Sequence, residues 1–482
     1  MQNIKNFEEN RVMLSDSYKY SHYLQYPKGT VNMYDYAEAR SLKEYDKTLF
    51  FGLQMIWKNY FSKRITINEV NEAAMYAKAH GVPFNLRGWK RIVRTYKGRL
   101  PVTIKAVPEG TVVPNKMVLF TVELTINDKE IFWLPSWLET FLMKVWYTCN
   151  VATRSYYVKE MLLQNAKMTS DEPFVDFQFH NFSDRGSSSV ESAAMGAVGH
   201  LTCFKGTDNF NSLKYANVYY NEPIENIGFS IPATEHSSTT AWTKEGEFDM
   251  IMNHLENNKG NPLMASVMDS YDIFKCVDVV TSGEFKAKIE SDEYPIFVQR
   301  PDSGYGPDII NEMINIMEKN GVKYTENSKG YKIWDKYRII LGDGVTMKIM
   351  NDILTNLRLR GYDASNISFG SGGWLQTLHN RDTLGFAIKC SNITLEDGSE
   401  IEVYKDPITD PGKKSKKGKV TTYFDVIDNE FFVDKIDAKL KERCVTVLET
   451  VIENGVLIKE YTLTEIRNRV NKQLAGVAFG NL

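Results

Sequence analysis

Cysteine is scarce in this chain: Cys149, Cys203, Cys276, Cys390 and Cys444 are the only five in 482 residues. No two of them stand in C-x-x-C spacing, which excludes the common zinc and thiol–disulfide signatures. Buried, reduced thiols are the simplest reading. An excess of one charge is missing too. Lys plus Arg is 58 and Asp plus Glu is 61, so the formal net charge is −3. That balance argues against a dedicated nucleic-acid binder. Long hydrophobic runs are also lacking. The most apolar region, 131–152, is interrupted by Pro135, Glu139 and Lys144, whereas a membrane span needs about 20 mostly apolar residues. Residues 1–10 carry Lys5, Glu8 and Glu9 around no apolar core, unlike a secretory signal. Internal repeats are not evident, and compositional bias is confined to a basic run at 413–419. The expectation is a soluble, cytoplasmic protein with no membrane or nucleic-acid partner. Apolar residues at 43% and charged residues at 25% match ordinary globular domains. At roughly 100–200 residues per domain, the length allows two to four.

What is present is a recurring order in the middle of the chain. Pro262-Leu-Met-Ala-Ser-Val-Met268 has a buried-strand pattern, ends at Asp269 and precedes a helical stretch from Asp272. Pro295-Ile-Phe-Val-Gln299 repeats this, ending in Arg300-Pro-Asp-Ser-Gly304 before a helix from Asp308. Tyr337-Arg-Ile-Ile-Leu341 ends in Gly342-Asp-Gly344, and Asn366-Ile-Ser-Phe369 ends in Gly370-Ser-Gly-Gly373. Four strand–loop–helix units in succession imply parallel strands with helical crossovers. Such folds carry their chemistry at the carboxyl ends of the strands. The last loop is the richest in glycine, and its N–H groups at a helix start would make an anion site. Residues 146–384 therefore read as an α/β barrel, in preference to a doubly wound sheet.

The flanks differ. Helical spacing covers 50–61 and 138–145, and strand patterns cover 102–107, 118–124, 402–404 and 420–426. Residues 1–145 and 385–482 are expected to form one discontinuous mixed α+β domain.

Single residues admit bland readings. Asp269, Asp302 and Asp343 recur at matching strand ends, as a shared site or as three helix caps. Glycines 342 and 344 serve a turn equally well. His236, within Ser230-Ile-Pro-Ala-Thr-Glu-His-Ser-Ser238, could be a base, an anion contact or a structural residue. The 413–419 run misses the P-loop pattern, because five residues separate Gly412 from Gly418 and Val420 follows Lys419. A solvated loop and a polyphosphate contact remain open for it.

Taken in order, the motifs resemble one family. They are Asp16-Ser-Tyr-Lys19 with His22-Tyr23, Phe51-Gly-Leu-Gln54, Lys105-Ala-Val-Pro-Glu-Gly110 and Phe204-Lys-Gly-Thr-Asp208. Glu235-His236, Asp269-Ser-Tyr-Asp272, Arg300-Pro-Asp-Ser-Gly304, Gly342-Asp-Gly344, Phe369-Gly-Ser-Gly-Gly373 and Lys405-Asp-Pro407 follow. Together they resemble the nicotinamide phosphoribosyltransferases of the type II phosphoribosyltransferase class, over nearly the whole chain. The resemblance implies an α/β barrel of the type II kind beside a mixed α+β domain. It also implies a homodimer with shared active sites that makes nicotinamide mononucleotide from nicotinamide and phosphoribosyl pyrophosphate for NAD salvage.

By the same resemblance, Asp302 and Asp269 lie beside ribose and pyrophosphate, and Gly342 with Asp343 holds the ribose hydroxyls. Gly372, Gly373, Arg381 and Lys389 take the 5′-phosphate. Arg185, Arg300 and His236 face pyrophosphate, with Arg40 and Lys405 from the second subunit. Phe182 and the second subunit's Tyr18 would sandwich the ring, and Asp208 would accept from the carboxamide. A nicotinate-specific relative would not favour an acid there. Magnesium is expected to arrive with phosphoribosyl pyrophosphate and not on a dedicated protein metal site. ATP is expected as co-substrate through phosphorylation of His236. Four positions depart from the pattern: Trp374 where a third glycine is common, Ala387 where a serine often holds phosphate, and Ser183 with Asp184 in place of a Gly-aromatic pair.

Overall fold

The computed structural model describes residues 9–409, 414–433, 440 and 442–482. The chain divides into two compact units. One comprises Arg154–Asn217 and Pro223–His379; the other joins the stretch ending at Thr153, Val218–Glu222 and the stretch from Asn380.

The first unit is a barrel of parallel strands. They are β1 (Phe179–Asn181), β2 (Gly206–Thr207), β3 (Leu263–Val267), β4 (Ile296–Arg300), β5 (Tyr337–Leu341) and β6 (Ile367–Ser371). Their order is β2-β1-β6-β5-β4-β3, and every pairing is parallel. The segment 229–233 closes the ring: Phe229 bridges Gly206 and Ala233 bridges Ala265, both in parallel. Each of these links is a single bridge. Strands β3 to β6 are the four expected from the sequence. Side chains of Ala265, Val298 and Ile340 form a buried interior cluster, against which Phe182, Ile231 and Leu263 pack.

Crossover helices cover the outside, which is why the strands are apolar on both faces. Helix Gly306–Lys319 buries Ile310, Met313, Ile314 and Met317, a spacing of three and four that makes one apolar stripe. Helix Ile273–Val280 is capped by Asp272, whose carboxylate accepts from the Lys275 N–H, and helix Met347–Leu359 by Thr346. Tyr305 occupies the cap position of Gly306–Lys319. None of Asp269, Asp302 and Asp343 is therefore a cap.

The second unit is built on a seven-stranded sheet. Its strand Thr30–Glu38 lies between Ala387–Leu395 and Val118–Leu124, antiparallel to both, so the two ends of the chain share one sheet. Some boundaries move. The helix expected at 138–145 runs Leu134–Leu142 with Pro135 in its first turn, where proline costs no hydrogen bond. A separate helix, Val145–Thr169, follows. The strand expected at 402–404 is Glu400–Glu402, and that at 420–426 shortens to Tyr423–Asp425. Helix Leu463–Leu474 was not anticipated; Thr462 and Glu465 form its capping box. Among the described residues no helix is long and apolar enough to cross a membrane.

Asp35, in the middle of Thr30–Glu38, is 1% exposed. Its Oδ2 accepts from Ser136 Oγ at 2.9 Å, while Oδ1 has no partner. Burial pushes this carboxyl up to about 6, against the smaller opposing effect of Ser136. An acid raised above its unfolded value binds its proton in the folded state first. Stability from this group is thus present at about pH 4 and is lost as pH rises through 6. Asp35→Asn removes that loss, and the expected gain at pH 7 is at most about 3 kcal/mol. Thermal melts at pH 4.5 and 7 check it: the variant's advantage must grow with pH, and an advantage equal at both would assign the effect elsewhere.

Candidate active site

The ends of the barrel strands meet around a cavity of about 1030 Å³. Phe182 follows β1 and Asp208 follows β2. His236 lies just beyond the closing segment, Arg300 ends β4 and Asp302 follows it. Gly342 with Asp343 follows β5, and Gly372 with Gly373 follows β6; all of these line the cavity. Arg185 is on the same lining and exposed. Asp269 follows β3 and joins the group through hydrogen bonds. Parallel pairing carries the strand ends to one side of the sheet, so residues from 182 to 373 become neighbours. 

A continuous polar chain crosses this mouth. Arg300 Nη2 donates to Asp302 Oδ2 at 3.0 Å, and the Asp302 N–H donates to Asp269 Oδ2 at 3.2 Å. The other Asp269 oxygen is 3.1 Å from His236 Nε2. The Asp269 side chain is 4% exposed and that of His236 48%, so a fixed carboxylate holds a solvent-facing imidazole. An ionised carboxylate only accepts. It therefore places the proton on Nε2 and leaves Nδ1 of a neutral ring unprotonated. Nδ1 is 3.9 Å from Asp302 Oδ2. Arg300 Nε is buried without a protein partner, a donor held ready for an anionic ligand.

Beside this chain lies a flat recess. A Cβ at Gly370 would fall inside the Phe182 ring, and one at Gly342 would lie 3.4 Å from Phe182 Cε2. The two glycines thus let the ring lie against the strand ends. The Arg300 guanidinium is 5.7 Å from the ring centroid. Asp208, on the same cavity lining, is exposed, and its Oδ1 accepts from Ser230 Oγ at 2.7 Å.

The chain is similar to known proteins. The model of the nicotinate phosphoribosyltransferase (NAPRTase) family matches residues 177–444. That of the nicotinamide phosphoribosyltransferase N-terminal domain matches residues 10–104. A nicotinamide phosphoribosyltransferase from Xanthomonas campestris is 40% identical over 465 residues, covering 95% of this chain and 97% of the relative. The chain belongs to the nicotinamide phosphoribosyltransferase family. A second member, from Acinetobacter baylyi, is 31% identical, covering 97% of this chain and 98% of its own. Two solved structures share the fold. Nicotinate-nucleotide pyrophosphorylase from Pyrococcus furiosus has a TM-score of 0.61 at 16% identity, covering 98% of each chain. Human nicotinic acid phosphoribosyltransferase has a TM-score of 0.53 at 13% identity, covering 96% of this chain and 94% of its own.

Departures from the family pattern have local explanations. The Trp374 ring packs under the Arg154 guanidinium at 4.6 Å, and its carbonyl accepts from the same arginine. It lines the cavity while also packing against Phe179, 6.4 Å between ring centroids. Ser183 is buried; its N–H donates to Asn181 Oδ1 at 2.9 Å, which leaves its single hydroxyl proton for Gln376 Oε1. Of the Ser183-Asp184 pair, Asp184 is the residue that lines the cavity. Gln376, which the sequence did not single out, also accepts from Asn181 Nδ2 at 2.9 Å and donates to Ala193 O at 2.8 Å. It ties the end of β1 to the glycine loop. A glutamine within an otherwise apolar turn was the one available signal. The helix after the glycine loop is only Gly373–Gln376. Its dipole is correspondingly small, so the expected helix-start contribution is reduced.

The remaining expected residues belong to the sheet unit. Tyr18 is 59% exposed on the 3-10 helix Ser17–Leu24. Arg40 follows Thr30–Glu38 and is half-buried, and Arg381 opens the short helix Arg381–Leu384. Lys389 is exposed on Ala387–Leu395, where Ala387 is buried, and Lys405 is exposed in a loop. In the basic run, Lys414 pairs with Asp406 at 2.9 Å, Lys417 with Glu402 at 3.0 Å and Lys419 with Glu400 at 2.7 Å. Lys416 pairs with Glu38. Lys413 lies outside the described residues.

Proposed function

We propose that this chain transfers the phosphoribosyl group of phosphoribosyl pyrophosphate to nicotinamide, giving nicotinamide mononucleotide and pyrophosphate for cytoplasmic NAD salvage. The observation that carries this reading is the Arg300–Asp302–Asp269–His236 chain set beside a flat aromatic recess ending in a carboxylate. In the reaction the bond from ribose C1 to pyrophosphate oxygen breaks and a bond from C1 to the pyridine nitrogen forms. Positive charge builds on the sugar and negative charge on the leaving group. Fixed carboxylates at Asp302 and Asp269 stabilise the first, and Arg300 and Arg185 the second, with His236 on the pyrophosphate side. Gly342 and Asp343 hold the ribose hydroxyls; Gly372, Gly373, Arg381 and Lys389 hold the 5′-phosphate. In a homodimer, a second copy supplies Tyr18, Arg40 and Lys405. Magnesium, arriving with the substrate, would neutralise pyrophosphate charge. Carboxylate oxygens such as those of Asp269 and Asp302 suit such a hard cation, and among the described residues no group of three or more His, Cys, Asp or Glu is placed to hold a metal by itself.

Phe182 stacks the ring, contributing about 0.5–1.5 kcal/mol beyond area burial. Asp208 accepts a hydrogen bond from the carboxamide and repels the carboxylate of nicotinic acid. The test is an end-point assay with phosphoribosyl pyrophosphate and magnesium, with nicotinamide or nicotinic acid as acceptor. Product from the amide alone is expected; turnover of the acid at comparable rate contradicts the reading of the ring pocket. In Asp208→Asn the amide-to-acid preference is expected to fall by about tenfold or more, the value of one charge-assisted hydrogen bond. An unchanged ratio removes Asp208 from discrimination.

ATP couples through His236. Unprotonated Nδ1 attacks the γ-phosphorus of ATP, the bond to the ADP oxygen breaks, and the phosphohistidine lies next to the pyrophosphate site. His236→Ala is expected to abolish ATP stimulation and acid-labile ³²P incorporation from γ-labelled ATP while slower basal turnover persists. Full stimulation in the variant would overturn the assignment.

A further inference from the structure

The sheet unit holds a second concentration of charge that the transferase reading does not use. Residues 86–100 contain Arg87, Lys90, Arg91, Arg94, Lys97 and Arg99 and no acid, in a chain of net charge −3. Helix Leu86–Thr95 buries Trp89 and Ile92. Arg87, Lys90, Arg91 and Arg94 recur at i, i+3, i+4 and i+7, which places them on one face. That face and the turn at 128–130 enclose a recess of about 770 Å³.

The floor is anchored. Arg91 Nε donates to Asp128 Oδ2 at 2.5 Å, and Tyr96 Oη donates to the same oxygen at 2.7 Å. Asp128, drawn down by these donors against its burial, stays ionised well below the usual carboxylate range. Arg87 pairs with Glu130 at 2.7 Å, and Lys129 with Glu396 at 3.2 Å. Lys90 and Arg94 form no ion pair among the described residues, so they stand as uncompensated cations at the rim.

An adjoining recess of about 450 Å³ shares Leu86, Arg87, Lys129 and Glu130 with the first, and adds Tyr23, Phe84 and Phe132. Its rings are held in place. Phe84 stacks on Trp89 at 6.4 Å and on Tyr20 at 5.9 Å, and Phe132 meets the edge of Tyr26 at 5.8 Å.

We infer that this groove is a binding site for a nucleotide carrying two or more phosphates, with the base in the aromatic lobe and the phosphates on the cationic helix face. Flat heteroaromatic rings suit Phe84 and Phe132, and arginine and lysine donors suit phosphate oxygens. Glu130, where the lobes join, accepts from an amino or hydroxyl group. A polynucleotide is disfavoured, because Glu130, Glu396 and the overall negative charge oppose a long polyanion.

The full-length protein is photolabelled with 8-azido-ATP and the labelled peptides are mapped by mass spectrometry. Label is expected on peptides holding Phe84 to Arg94 or Lys129 to Phe132, displaced by ATP. The pair Lys90→Glu and Arg94→Glu, both surface changes checked by circular dichroism, is expected to cut this label at least about tenfold, since each removes a charge-assisted contact. Label at the barrel mouth is expected to be unaffected by the pair. Label confined to barrel peptides overturns the inference. Displacement by inorganic tripolyphosphate as effective as by ATP overturns the assignment of the aromatic lobe. A twelve-residue thymidine oligonucleotide that binds more tightly than ATP, by fluorescence anisotropy, replaces the nucleotide with a polynucleotide and likewise overturns it.

Discussion

Asp302→Asn is expected to lower kcat for nicotinamide mononucleotide formation by about 10²–10³-fold, the cost of removing one fixed group aimed at transition-state charge. Asparagine keeps the size of the side chain and an oxygen able to accept from Arg300 Nη2, which is 3.0 Å away. It loses the negative charge. The Asp302 backbone N–H still reaches Asp269, so the position of the loop is preserved. Because the charge matters when the C1 bond breaks, kcat and kcat/KM should fall together while KM for phosphoribosyl pyrophosphate stays within about threefold. Thermal stability should be nearly unchanged. Steady-state kinetics with both substrates varied provide the check. A kcat within about tenfold of the parent enzyme would assign Asp302 to holding Arg300 and not to stabilising the sugar.

Gly370→Ala is expected to act on the ring pocket without touching a charged group. A Cβ there would occupy the space of the Phe182 ring, so the ring must leave the position proposed for stacking on nicotinamide. Losing one buried aromatic face is worth about 1.5–3 kcal/mol, so KM for nicotinamide should rise by roughly 10- to 100-fold. The affinity for phosphoribosyl pyrophosphate should change far less. A double-mutant cycle isolates the cause. In a Phe182→Ala background the glycine substitution should add almost nothing, because its effect runs through the ring. Two independent, additive losses would mean that Gly370 matters through the β6 backbone instead.

The four strands β3 to β6 were legible because each is a five-residue, largely apolar run followed by a polar loop and a helical stretch. The carboxylates after three of them were legible as candidates for the same reason. Strands β1 and β2 were not. They contain three and two residues, too short for any periodicity to register. The alternating stretch before His236 reads as a strand end, and the structure holds that segment, 229–233, by isolated bridges only. His236 and Asp208 depend on those short elements, so their roles rested on resemblance to a family.

The amino-acid sequence by itself determined the parallel α/β class, the shared position of Asp269, Asp302 and Asp343 at strand ends, and the family. These depend on local patterns and on motif order, which survive without coordinates. Only the tertiary structure decided that the three aspartates are not helix caps, since capping depends on which side chain meets which N–H. Only it showed Asp269 bridging His236 to the Asp302 backbone, Phe182 resting on glycines from other strands, and Gln376 tying β1 to the glycine loop. Each of these is a contact between residues far apart in the chain. Closure of the barrel sets such contacts, and no window of sequence contains both partners.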